Sequence, residues 1–287
     1  MKNGRRWRTA LLAAAVAVLA IYVYFKPARG PAQYPLSALK AQEIRSIRVE
    51  RPGDSAPLVL ERRQDGWYVA SPFAARADAL RAHQVLAIAE AKSSHRLPAG
   101  DLARFELDRP VAWVTLAGQT FSFGLVNAVT REQYVLSGDY VYTLHPRYGA
   151  ALPARPADAA NRQLFAADEV PLRIELREFT VEQRGGKWTL TPGAGAVSQE
   201  EFMRWMDEWH LASALRVEPW TRGKPVADIR VRLKDGRSLT LGVLARQPEL
   251  VLVRTDEKMQ YHLRGEAAKR LFSPPRAEAR SEPTQKK

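Results

Sequence analysis

The sequence predicts an α+β protein: an amino-terminal transmembrane helix followed by two tandem, diverged, mainly antiparallel β-rich units, each with one main helix. Three observations predict it. A basic cluster precedes an uncharged apolar run at the amino terminus. Segments that alternate with period two are separated by glycine turns. Residues 46–165 and 173–272 also resemble each other segment by segment, as a duplicated unit would.

Lys2, Arg5, Arg6 and Arg8 precede an uncharged stretch from Thr9 to Phe25, closed by Lys26 and Pro27. Seventeen residues make about 25 Å of helix, slightly less than a ~30 Å hydrocarbon core. Trp7, Tyr22 and Tyr24 suit the headgroup layers, and the flanking cations can snorkel. The charge bias keeps the amino terminus in the cytoplasm and sends the main body to the periplasm of a Gram-negative source, as a single-pass inner-membrane protein. A cleaved signal peptide is the rival reading. The small-x-small pattern it needs is first met at Ala28-Arg-Gly30, beyond a bulky aromatic end.

The organisation is then a cytoplasmic stub and anchor (1–26), a Pro/Gly/Ala linker (27–43), a first unit (44–168), a second unit (169–275) and a disordered tail (276–287). The formal charge is +13, but residues 1–29 hold +6 of it and the tail +2. The remaining +5 is spread over 30–275 as arginines interleaved with acids, so nucleic acid is not an expected partner. The chain has no cysteine, which excludes thiol catalysis, disulfide scaffolds and thiolate metal sites.

Within the units, Ile44-Arg-Ser-Ile-Arg-Val-Glu alternates and places Ile47 and Val49 on one face. Asp65-Gly66 and Gly185-Gly186 stand just before Trp67 and Trp188 and read as hairpin turns, because glycine accepts positive φ. Pro72 and Pro192 follow. Gly118 and Asp235-Gly236 mark the next hairpins, ending on Gly124 and Gly242. Leu164-Phe165 and Leu271-Phe272 close the two copies. Spacing between equivalents drifts from about 121 at the tryptophans to about 107 at the Leu-Phe pairs. Ser198-x-x-Glu201 is a capping box, followed by Phe202, Trp205, Met206 and Trp209 at helical spacing for packing on a sheet. The first helix, near 77–92, carries a weaker stripe of Leu80, Gln84, Ile88 and Ala91.

No local pattern specifies chemistry. His83, His95, His145, His210 and His262 form no metal-ligand pair, although His145 and His262 fall at the ends of matching strands. No nucleophile elbow, Walker loop or dinucleotide fingerprint occurs, and Gly193-Ala-Gly195 reads as a loop. The acid pairs Asp168-Glu169, Glu200-Glu201 and Asp207-Glu208 are expected by chance among 31 acids. No catalytic, cofactor-binding or metal-binding residue is assigned, and no cofactor is expected.

The strand-turn-Trp67 element with Pro72, Phe105-Glu-Leu-Asp-Arg-Pro110 before a strand, Phe123-Gly124-Leu-Val, Tyr134-Val-Leu and Val141-Tyr142 together resemble the bacterial domain-of-unknown-function family numbered 4340. The resemblance covers most of 44–165, with an echo in the second unit. Its members carry glycine where Glu106 stands, so a turn needing positive φ would take a different backbone path here. The resemblance implies a membrane-anchored, extracytoplasmic accessory protein associated with ABC-type transport systems of the gliding-motility auxiliary kind, and it implies no catalytic residues. Three functional readings follow. The first is a non-catalytic interaction module of a transport or envelope complex, tethered through residues 9–25, with exposed strand edges for a protein partner. The second is a small-molecule, glycan or lipid-binding domain using the crevice between the units. The third is an enzyme of unrecognised type, which needs a cavity with two convergent acids, or an acid beside His145 or His262.

Overall fold

Alternation and turn chemistry generate two antiparallel sheets. The computed structural model describes residues 3–25, 32–193 and 197–275. The first sheet has nine strands in the spatial order Ala75–Arg76, Trp67–Ser71, Leu58–Arg62, Ser46–Glu50, Ala112–Leu116, Gln119–Val126, Gln133–Ser137, Tyr140–Leu144 and Arg96–Pro98. The second has eight, in the order Lys187–Thr191, Thr180–Arg184, Pro171–Glu175, Ala227–Leu233, Ser238–Ala245, Leu250–Arg254, Met259–Leu263 and Arg216–Pro219. Apart from the added Ala75–Arg76 strand, the orders match position for position. The sheets are separate, but one continuous cluster of buried apolar side chains runs through both units.

Local signals account for much of this. In Ser46–Glu50 only Ile47 and Val49 are fully buried. Gly185 and Gly186 have φ of +56° and +82°, the pair of positive values that a two-residue hairpin turn requires. In the first unit Ala117-Gly118, the counterpart of Asp235-Gly236, has φ of +47° and +85°. Matching irregularities recur where Gln133–Val135 and Val243–Ala245 shift register. Gly124 and Gly242 are also equivalent, each making room for the loop that precedes its sheet's central hairpin. A Cβ on Gly124 would stand 3.0 Å from the Phe105 carbonyl oxygen, and one on Gly242 would stand 2.6 Å from Pro225 Cγ.

Ser198 and Glu201 form the expected reciprocal cap on Gln199–His210, which buries Phe202, Trp205, Met206 and Trp209. Trp209 Nε1 donates to the Leu271 carbonyl and Trp205 Nε1 to that of Ser273, so the indoles lose no hydrogen bond on burial. In the first unit the helix is Ala79–Leu86, capped by the Asp78 side chain. Its inward face differs from the expected stripe. Ala82, Val85, Leu86 and Ala89 are buried with the expected Ile88 and Ala91, whereas Leu80 is 68% exposed and Gln84 faces solvent.

The described part of the expected linker, residues 32–43, is integral to the first unit. Tyr34–Pro35 pairs with Lys92–Ser93, and Leu36 is buried. Leu36 N–H donates to the Ala91 carbonyl, as Leu164 N–H donates to that of Ala212, so the segment entering each unit is tied just past that unit's helix. Glu106 adopts φ of +57° itself. The expectation of a different backbone path there is therefore corrected: a glutamate occupies the left-handed position. The expected tail, 276–287, the Ala28-Arg-Gly30 pattern and most of Gly193-Ala-Gly195 lie outside the described residues.

Asn3–Phe25 is one helix of 23 residues. A membrane crossing by residues 9–25 is not supported: among the described residues no helix is long and apolar enough to cross a membrane. Leu12, Val16, Val18, Leu19 and Ile21 on it are each more than half exposed.

The sheet edges are blunted. Pro98 and Pro219 terminate two edge strands, where a missing N–H discourages further pairing. Trp67 in the first unit gives its carbonyl to Ala77 N–H; its counterpart Trp188 has both backbone groups held by the Gln199 side chain, N–H to Oε1 at 2.7 Å and O to Nε2 at 3.1 Å. One amide thus does there what a covering strand does in the first unit. Gln199→Ala is expected to lower stability by about 1–2 kcal/mol, since two backbone groups lose partners. Chemical denaturation measures that loss, and light scattering is expected to show increased self-association.

Candidate functional site

Residues 159–169 join the units and are hydrogen-bonded to both. Ala159 O accepts from Asp78 N–H and Asn161 N–H donates to Arg76 O on the first unit; Leu164 N–H donates to Ala212 O, and Arg162 O accepts from Ala214 N–H, on the second. Two arginines reinforce this strap. Arg254 ends the strand Leu250–Arg254, all five of whose residues are buried, with its side chain only 2% exposed. Its Nη1 meets Glu169 Oε2 at 2.5 Å and the Leu164 carbonyl at 3.0 Å; Nη2 meets Glu169 Oε1 at 2.9 Å and Asp256 Oδ2 at 2.6 Å; Nε meets Asp256 Oδ1 at 3.2 Å. All five N–H donors of the guanidinium are engaged.

Arg76 comes from the edge strand of the first sheet and crosses to the second unit. Its Nε lies 2.6 Å from Glu257 Oε1, while Nη2 reaches the Gln163 carbonyl, the Leu164 carbonyl and the Tyr261 hydroxyl. Tyr261 O–H in turn donates to Glu257 Oε2 at 2.6 Å. Arg76 Nη1 is buried without a hydrogen-bond partner. Burial works against the charged form of both arginines, but Tyr261 and Glu257 beside Arg76, and Glu169, Asp256 and Glu257 around Arg254, outweigh it and raise both pKa values. Burial also opposes ionisation of Glu169 and Asp256, yet the Arg254 guanidinium holds both below the usual carboxylate range. Tyr261 is pushed up, first by burial and then by Glu257.

These groups floor an open crevice of about 850 Å³ between the units. One wall is the Arg63–Val69 hairpin with Trp67 and Tyr68; the opposite wall brings Arg237, Asp256 and Glu257. Arg63 lies over the Tyr68 ring at 4.4 Å, and the Tyr68 hydroxyl donates to Asp65, which it holds below its usual pKa. Asp168 pairs with Arg237 at 3.2 Å on the rim.

The residues singled out from sequence are mostly elsewhere. Of the acid pairs, only Asp168-Glu169 reaches the crevice. Glu201 caps its helix, Glu200 lies 3.6 Å from Arg204, and Glu208 pairs with Arg270 at 2.9 Å. His145 is exposed and accepts from Arg147 N–H. His262 is buried, with Nδ1 2.8 Å from Glu249 Oε1 and 3.0 Å from Arg216 Nη2. That acid–histidine pair borders a second pocket of about 450 Å³ through Glu249. Glu249 is already gripped by His262 and Arg264, the two contacts that lower its pKa most, and by Arg216. Among the described residues no three His, Asp or Glu side chains are grouped to hold a metal. The crevice residues Arg76, Arg254 and Glu257 carry no local motif. Their one sequence trace is an arginine closing the apolar run Leu250-Val-Leu-Val.

A family model described as a domain of unknown function (DUF4340) matches residues 67–228. The chain belongs to this family. No curated protein and no solved structure matches it. The DUF4340 match begins at Trp67 in the first unit and ends in Ala227–Leu233 of the second, so it includes the whole connecting strap.

Arg254→Met is expected to cost about 3–5 kcal/mol, because Glu169 would stay buried without its cation. Arg254→Met with Glu169→Leu is expected to recover part of that loss, measured by urea unfolding in a double-mutant cycle. Glu169 and Asp256 have depressed pKa values in the folded protein, so their stabilisation is complete above the ordinary carboxylate range near about 4. It is lost as pH falls from there through the folded values. Thermal unfolding followed against pH is expected to show this acid loss, with a shallower slope for Glu169→Gln.

Proposed function

We propose that this protein is a non-catalytic, membrane-tethered, extracytoplasmic accessory protein whose binding surface is the crevice between its two units. The observation that carries the reading is that crevice of about 850 Å³, within the range of small-molecule and recognition sites, on a floor braced by ion pairs from both units. Strand addition at a sheet edge is less favoured, because Pro98, Pro219 and the Gln199 clamp blunt the edges. A non-catalytic role is supported by the acids themselves. Asp65, Glu169 and Asp256 are all held below their usual pKa values, opposite to the shift that prepares a general acid for neutral pH.

The tether is the amino-terminal helix. Leu12, Val16, Val18, Leu19 and Ile21 are exposed and, at 100° per residue, point to different sides of it, which suits lipid better than a groove on one face. Modest local thinning of the bilayer compensates for a run a few Å short of the bilayer core. The four cations before the run keep the amino terminus inside and place the body in the periplasm. The family resemblance supports membership of an ABC-type transport or envelope complex.

A carboxyl-terminal alkaline phosphatase fusion is expected to be active and a green fluorescent protein fusion dark; the reverse pattern would refute the topology. Crosslinking in native membranes is expected to recover a partner with the wild-type chain and to lose it with Ala167→Trp, which sets a bulky ring on the crevice lining. Recovery of the bait alone from wild-type membranes at native expression would sink the accessory role.

A further inference from the structure

We propose that the crevice takes a neutral, hydroxyl-rich ligand of the oligosaccharide class, an inference that rests on the crevice being the binding surface. The charge of its lining is nearly balanced: Arg63, Arg76, Arg237 and Arg254 against Asp65, Asp168, Glu169, Asp256 and Glu257. Each of those acids already has a partner: Asp65 the Tyr68 hydroxyl, Asp168 Arg237, Glu169 and Asp256 Arg254, and Glu257 Arg76 and Tyr261. Asp65 alone among them has a neutral partner, and Arg63 on the same tyrosine ring offsets its charge. The excess of one acid over the arginines gives no field that would concentrate a free anion.

What the site offers is hydrogen bonding and flat surface. Arg63 is exposed at the mouth and stacked on half-buried Tyr68, so a guanidinium plane and an aromatic plane stand together. Such planes present apolar faces ringed by polar edges, matching the C–H faces and hydroxyl rims of sugar rings. Asn161 on the strap adds an amide that both donates and accepts, with its Oδ1 already accepting from Gln163 N–H. The carboxylates on the opposite wall retain lone pairs for ligand hydroxyls after accepting from their arginines. The floor is rigid because Arg254 and Glu169 lock it, so hydroxyl positions are read against fixed partners. A pocket built to hydrogen-bond hydroxyl groups discriminates strongly against ligands that lack them.

The test is isothermal titration of the full-length protein in lipid nanodiscs with maltotriose and with the N-acetylglucosamine trimer. Inorganic pyrophosphate and spermine serve as charged counter-probes. At least one saccharide is expected to bind, with affinity lowered about tenfold by Tyr68→Ala and by Arg63→Ala, roughly the effect of losing one or two contacts. Lys224→Ala, away from the crevice, is expected to change nothing. Tighter binding of pyrophosphate or spermine, saccharide binding unaffected by both crevice variants, or no saccharide binding would each overturn the proposal. Ala167→Trp separates the two levels. If it abolishes partner recovery from membranes while no saccharide binds, the ligand class falls and the crevice stands. If partner recovery survives it, the crevice reading itself has failed.

Discussion

The structure depends on one buried cation. Arg254 is surrounded by Glu169, Asp256 and the Leu164 carbonyl, and a guanidinium in that position is tolerable only because each of its N–H groups has an acceptor. That requirement fixes the strap to the second sheet, and the strap in turn carries the contacts to the first unit. Arg76 shares the Leu164 carbonyl and completes the link through Glu257. The two sheets stay distinct, yet the ion pairs and the continuous apolar core make their relative placement one cooperative problem.

The two units solve the same backbone problem with different side chains. In the first, Ser137 ends the strand equivalent to Leu250–Arg254, and its hydroxyl donates to the Leu36 carbonyl at 3.0 Å. In the second, Arg254 reaches the carbonyl of Leu164, the residue tied past its helix as Leu36 is past the first. A hydroxyl suffices where only one carbonyl needs a donor. A guanidinium serves where the entering segment also brings a carboxylate. The added Ala75–Arg76 strand and the Gln199 clamp form a second such pair, in which a backbone strand and one side-chain amide do equivalent work.

The elements with local causes were legible in the sequence. The Ser198–Glu201 cap, the Gly185-Gly186 turn and the inward row of Phe202, Trp205, Met206 and Trp209 follow from spacing alone. The first helix was half legible: Ile88 and Ala91 of the expected stripe are buried, while exposed Leu80 stands off the face formed by Ala82, Val85 and Leu86. Residues 32–43 looked like a linker by composition, and the Tyr34–Pro35 pairing with Lys92–Ser93 together with buried Leu36 made them part of a packed unit. The crevice was not legible at all. Its floor joins residues 76, 169, 254 and 257, brought together by tertiary pairing that no window of the chain contains. Acid pairs chosen by adjacency in sequence mostly serve helices and surface ion pairs instead.

The Leu36 and Leu164 ties also say where the chain can be cut. Scissors placed between residues 168 and 169 would strand the Leu164 carbonyl on the wrong fragment and leave one donor of Arg254 facing nothing. The natural modules start earlier than the tryptophans advertise, near Tyr34 and near Gln163. A second-half fragment has to bring its own doorstep with it.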